Sequence, residues 1–151
     1  MKSGSEIKTL FYGIGNPIRG DDALGPMMIE WLEKENLFQN ATYLWNYQLQ
    51  IEDAELIDHY DQVIFIDAHV NLEHEFEFTK LEPALHPEYS SHSVHPESIL
   101  ALNRQFFKGH VDCYLLALKA MNFELCSNTP FIKQCLRTSV LEHIHRKIDL
   151  F

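Results

Sequence analysis

Positive charge is scarce in this chain: 12 Lys and Arg stand against 22 Asp and Glu in 151 residues, a formal charge of -10. No basic cluster exists to displace counterions from a phosphate backbone, which argues against nucleic acid as a partner. Long apolar runs are missing too. No stretch approaches the roughly 20 apolar residues that span a bilayer, and Met1 to Glu6 holds no apolar signal segment, so no membrane partner and a cytoplasmic location are expected. Cysteine is limited to Cys113, Cys126 and Cys135. An odd number, without Cys-x-x-Cys spacing and in apolar surroundings, reads as reduced core thiols and argues against a structural zinc site. What remains is a 46% hydrophobic chain of a size that suits one globular domain, expected over 1–151.

Glycine is also sparse, with only six in the chain, and four of them fall in Gly13-Ile14-Gly15-Asn16-Pro17-Ile18-Arg19-Gly20-Asp21-Asp22-Ala23-Leu24-Gly25. Two familiar nucleotide loops fail on this spacing. A dinucleotide fingerprint needs glycine where Ile18 stands, and a P-loop needs Lys and then Ser or Thr where Asp21 and Asp22 stand. A glycine loop opening a helix ordinarily offers backbone N–H groups to an anion. Two carboxylates at its mouth favour a cation instead. The competing structural reading makes Asp22 the N-cap of the helix, where it would accept a backbone N–H and suit the helix dipole.

Ile7 to Tyr12 reads as a buried strand, and Pro26, tolerated only in a first helical turn, sets a helix start between Asp22 and Gly25. Tyr43 to Tyr47 reads as a second strand and Glu52 to Tyr60 as a short helix. Val63 to Ile66 is a central parallel strand ending on Asp67, and Glu73 to Thr79, alternating charged and aromatic residues, is an edge strand. Pro96 opens a further helix, Tyr114 to Leu118 is the last strand, and Thr129-Pro130 opens a terminal helix with Ile132, Leu136, Val140, Ile144 and Ile148 spaced by four. Strands alternating with helices predict an α/β three-layer sandwich, a mostly parallel twisted sheet with helices on both faces.

In such sheets ligands sit beyond the carboxyl ends of the strands. Asp22, Asp67 and His92 all fall there, and two carboxylates with one imidazole form a donor set for a divalent metal that leaves positions open for water or substrate. Each has a plainer reading: Asp22 as a cap, Asp67 as an acceptor for loop N–H groups, His92 as one of nine histidines on a wet surface.

These segments resemble the nickel-iron hydrogenase maturation endopeptidases, over about Ile7 to Ile148. Four blocks carry the likeness: Gly13 to Gly25; Val63-Ile64-Phe65-Ile66-Asp67-Ala68; Ser91-His92 with Pro96 and Ile99 to Leu102; and Tyr114 to Leu118 leading to Phe123-Glu124-Leu125 and Ser127. The resemblance implies a phosphorylase/hydrolase-like fold and a metal site of Asp22, Asp67 and His92. It further implies a protease whose partner is the hydrogenase large-subunit precursor. The divalent metal would be nickel supplied by that precursor, so that insertion is checked before the C-terminal extension is removed. One departure stands out. Family members commonly carry glycine and Pro-Gly after the strand-ending Asp, where this chain has His69-Val70-Asn71-Leu72-Glu73-His74. His69 and His74 are either added ligands or surface residues. His95, a rival to His92, is read as the residue capping the helix.

No Ser-His-Asp or Cys-His motif is present, so peptide hydrolysis would use an activated water, with Asp22 or Asp67 as catalytic base or with the metal only positioning the substrate. Two other classes fit the same residues. One is a non-catalytic metal-binding module, supported by the altered segment after Asp67. The other is a small-molecule hydrolase sharing only the fold, for which Arg19 is the lone basic residue near the loop.

Overall fold

The computed structural model describes residues 7–18, 20–36, 38, 40–90 and 94–120. The expected terminal helix, Cys126, Cys135, Arg19, Ser91 and His92 lie outside the described residues. Among those described, five strands form one sheet: β1 (Thr9–Ile14), β2 (Ala41–Asn46), β3 (Gln62–His69), β4 (Phe76–Lys80) and β5 (Asp112–Lys119), in the order β2-β1-β3-β5-β4. All pairings are parallel except β4 with β5. Three helices accompany them: α1 (Leu24–Glu35), α2 (Asp53–Ile57) and α3 (Pro96–Phe106).

The period of two along each central strand divides the core into two layers. Phe11, Ile64, Ile66, Leu116 and Leu118 meet Met28, Ile29 and Leu32 of α1 on one face. Leu10, Tyr12, Val63 and Phe65 meet Ile57 of α2 and Ile99 and Leu100 of α3 on the other. Phe11, Ile64, Phe65 and Ile66 are wholly buried, as expected of strands covered on both sides. The α/β sandwich read from the sequence is therefore the fold observed. Helices do not separate every pair of strands, however, because β3 runs to β4 through an exposed loop, Val70 to Glu75.

Two boundaries move in ways that matter for the site. Asp67 does not close its strand: β3 continues to His69, paired with Lys119 of β5, and the Ala120 N–H donates to the His69 carbonyl. Where a glycine turn would leave the sheet, His69 has the side-chain bulk and φ range to stay extended, so pairing persists. Nor does Asp22 cap α1. It lies in a 3-10 turn, Gly20–Ala23, and the N-cap position belongs to Ala23, with no side-chain cap bond.

Candidate functional site

From β1 the chain steps outward to β2 and then returns to the opposite side of β1 as β3. The carboxyl ends of β1 and β3 thus flank the point where strand order reverses, the usual crevice of open α/β sheets. The loop after β1 brings Asp22 to this crevice, and the C-terminal part of β3 brings Asp67.

Glycine makes the approach possible. Gly25 at the start of α1 lies so close to the sheet that a Cβ would stand 2.8 Å from the Ile66 carbonyl oxygen, beside Asp67. Gly15 has φ +143, a backbone conformation that strains any side-chain-bearing residue, and it too presses against Asp22. The Asp22 carboxylate then accepts the Asn16 backbone N–H at 3.0 Å, which ties the turn back across the loop. Its structural role is that of a loop brace rather than a helix cap, and only one oxygen is committed to that bond.

Asp67 shares its face of β3 with Val63, Phe65 and His69, the side covered by α3. Burial pushes its carboxyl up to about 6. The Ala68 N–H, donated at 2.9 Å, and the charges of His69 and His95 oppose that rise, while the negative charge of Asp22 adds to it. The two carboxylates are thus close enough to repel. His95 occupies the N-cap position of α3 as expected, yet its side chain makes no cap bond, and its charge is instead felt by Asp67.

Such a pair suits a divalent ion. One carboxylate is desolvated and faces a like charge, so a cation between them would relieve both costs. Among the described residues no group of three or more His, Cys, Asp or Glu is arranged to hold a metal; His92, the expected third ligand, lies outside them. His74 belongs to the exposed loop leading into β4.

No protein-family model and no curated protein matches the chain. Solved structures do. The nickel-iron hydrogenase maturation protease HycI from Thermococcus kodakarensis aligns at 22% identity with a TM-score of 0.66, covering 96% of this chain and 94% of that one. The hydrogenase maturating endopeptidase HybD from E. coli aligns at 19% identity and TM-score 0.63, covering 93% and 94%. A hydrogenase 2 maturation peptidase from a Thaumarchaeota archaeon aligns at 21% identity and TM-score 0.56, covering 91% and 97%. The chain has the fold of the hydrogenase maturation proteases. With coverage this complete on both sides, the likeness extends over the whole alternating sheet and not over a shared βαβ fragment.

One polar cluster near this crevice escaped the sequence reading. Tyr12, inward-facing on β1, donates its hydroxyl to Asp53 at 2.9 Å, and the same carboxylate oxygen accepts the Gln50 N–H at 2.8 Å. Burial raises both groups above their ordinary values, the tyrosine further because Asp53 is negative. The pair fixes the start of α2 against β1. Its sequence signal was a tyrosine ending an otherwise apolar strand and an acid in the first turn of a helix, neither distinctive alone.

Proposed function

We propose that this protein is an endopeptidase that removes the C-terminal extension of a nickel-iron hydrogenase large-subunit precursor once nickel has been installed. The observation that carries this reading is the meeting of Asp22 with a desolvated Asp67 at the strand-order reversal of a sheet whose fold matches the maturation proteases. Asp22, Asp67 and His92 are the residues assigned to meet the nickel of the precursor, which enters as cargo of the substrate. When bound there, a divalent ion supplies the charge that the carboxylates lack and withdraws electron density from a coordinated oxygen.

The two carboxylates suit different tasks. Asp22 is already oriented by Asn16, and its other carboxylate oxygen takes no hydrogen bond among the described residues, which fits a ligand. Asp67, with its carboxyl near 6, is ionised at neutral pH yet a stronger base than an ordinary aspartate. It fits the group that takes a proton from water as the water oxygen attacks the scissile carbonyl, and then returns that proton to the departing amide nitrogen. No membrane-crossing segment enters this scheme: among the described residues no helix is long and apolar enough to span a bilayer.

The test is cleavage of two preparations of one precursor. The nickel-loaded form is expected to lose its extension, while the nickel-free form and unfolded casein stay intact. Equal cleavage of loaded and empty precursor would defeat metal checking. A second reading, a metal-binding module without protease activity, draws on the continuation of β3 to His69, which alters the lip beside Asp67. Metal binding without cleavage of any cognate precursor would favour it.

A further inference from the structure

The two outer strands of the described sheet are built differently. β4 carries Glu75 just before it, then Glu77 and Lys80, the charged pattern that discourages another strand from adding. β2, Ala-Thr-Tyr-Leu-Trp-Asn, has no charge at all. Leu44 is 37% exposed and Trp45 44% exposed, followed by Tyr47 at 57%. An edge left this apolar is a liability unless something adds to it.

The hydrogen-bond phase of β2 shows what it offers. The Thr9 N–H donates to the Asn40 carbonyl and the Gly15 N–H to the Asn46 carbonyl. In a parallel ladder this phase turns the backbone groups of Thr42, Leu44 and Asn46 toward β1 and those of Ala41, Tyr43 and Trp45 outward. Beside that outward edge runs a groove of 450 Å³, with Tyr43, Leu44 and Trp45 on one side and Pro26, Met27, Glu30 and Glu33 of α1 on the other. It ends at Pro17, in the loop braced by Asp22. The charged side chains of its wall are both acidic.

We propose that this groove takes an extended peptide with basic residues among apolar ones, added antiparallel to β2 as a further strand, and that in the endopeptidase reading above this peptide is the part of the precursor extension beyond the cleaved bond. The outward N–H and C=O groups of Tyr43 and Trp45 hold its backbone, Met27 and Trp45 take its apolar side chains, and Glu30 and Glu33 select its positive charge. An antiparallel strand enters at the loop end of β2, so its first residues lie nearest the carboxylates. It would stand three strand spacings, about 14 Å, from β3, so about four extended residues separate the bond at Asp67 from the recognised segment.

The experiment uses the whole protein, labelled for NMR, and the peptide acetyl-Lys-Val-Lys-Thr-Arg-Val-Lys-Thr-amide, with a counterpart bearing Glu at every basic position. The basic peptide is expected to slow amide exchange of Tyr43 and Trp45 at least fivefold and to leave Leu44 and Asn46 unchanged. The acidic one is expected to do neither. Glu30→Lys/Glu33→Lys, two exposed changes, should weaken the basic peptide about tenfold and raise KM for the precursor by a similar factor. Trp45→Pro removes an outward N–H without breaking a ladder bond and should abolish binding, with Trp45→Ala retaining part of it. No binding at millimolar peptide, equal binding of both peptides, or protection elsewhere overturns the groove. If the precursor is cleaved normally by Glu30→Lys/Glu33→Lys, the groove assignment fails and the endopeptidase reading stands. If the peptide binds as described and no precursor is cleaved, the groove stands and the endopeptidase reading fails.

Discussion

Asp22 and Asp67 are the same kind of side chain on opposite lips of one crevice, and the fold treats them in opposite ways. Asp22 sits in a short turn, half-buried like Asp67, its carboxylate accepting the Asn16 N–H. Asp67 sits in a central strand, where burial and the charge of Asp22 push its carboxyl up to about 6. The first is held by a backbone hydrogen bond from across its loop. The second carries a cost that only a proton or a cation relieves. A half-buried carboxylate facing a like charge suits a site for an arriving metal ion.

Replacing each carboxylate breaks the comparison in a different place. Asp67→Asn should reduce precursor cleavage about a hundredfold or more, since it removes the proposed base. Binding of the nickel-loaded precursor should weaken as well, which a pull-down with the uncleaved precursor measures. The same substitution should make the metal-free protein more stable at pH 8, by about 1–3 kcal/mol in thermal or urea unfolding, because the cost of the buried charge disappears. A loss of stability in Asp67→Asn would show that the charge is satisfied after all.

The pH dependence of stability sharpens the same point. Asp67 holds its proton more tightly folded than unfolded, so the folded state binds more protons between the ordinary carboxylate value and about 6. Its contribution is fully favourable below about pH 4, declines as pH rises through 6, and is gone above about pH 7. Over that window the metal-free protein should lose up to about 3 kcal/mol from this group. In Asp67→Asn the decline should flatten.

Smaller effects are expected at Asp22. Asp22→Asn keeps an acceptor for the Asn16 N–H and should change stability by less than about 0.5 kcal/mol, whereas Asp22→Ala leaves that N–H without its acceptor and should cost about 1 kcal/mol more. Both should impair binding of the nickel-loaded precursor. Equal stability of the two variants would mean that the Asn16 bond contributes nothing to the loop.

Much of this arrangement was legible in the residues. The glycine loop, the apolar run into Asp67 and the proline opening α3 are local signals, set by backbone freedom, burial on both faces and the first-turn tolerance of proline. The edge position of β4 followed from its alternation of acids and aromatics. The role of Asp22 was not legible, because cap and brace use the same carboxylate and the same glycines. Which one forms depends on whether the turn after Gly20 tightens before α1 begins. The end of β3 was misplaced for a related reason: pairing with β5 carries the strand on to His69, and pairing is a tertiary fact that a run of side chains does not encode. The raised carboxyl of Asp67 likewise arises from tertiary burial on the face of β3 that α3 covers and from the nearby charge of Asp22, neither of which leaves a trace in local sequence. His92, the third member of the expected set, falls outside the described residues.

The most direct test of the account is a carbon-detected NMR titration of the Asp67 carboxyl in the full-length protein, with and without one equivalent of nickel or, as a diamagnetic substitute, cadmium. Without metal the carboxyl should titrate near 6, and with metal it should fall well below, because the ion between Asp22 and Asp67 favours the charged form. An Asp67 titration that the ion leaves unmoved would contradict the claim that these two carboxylates form one cation site.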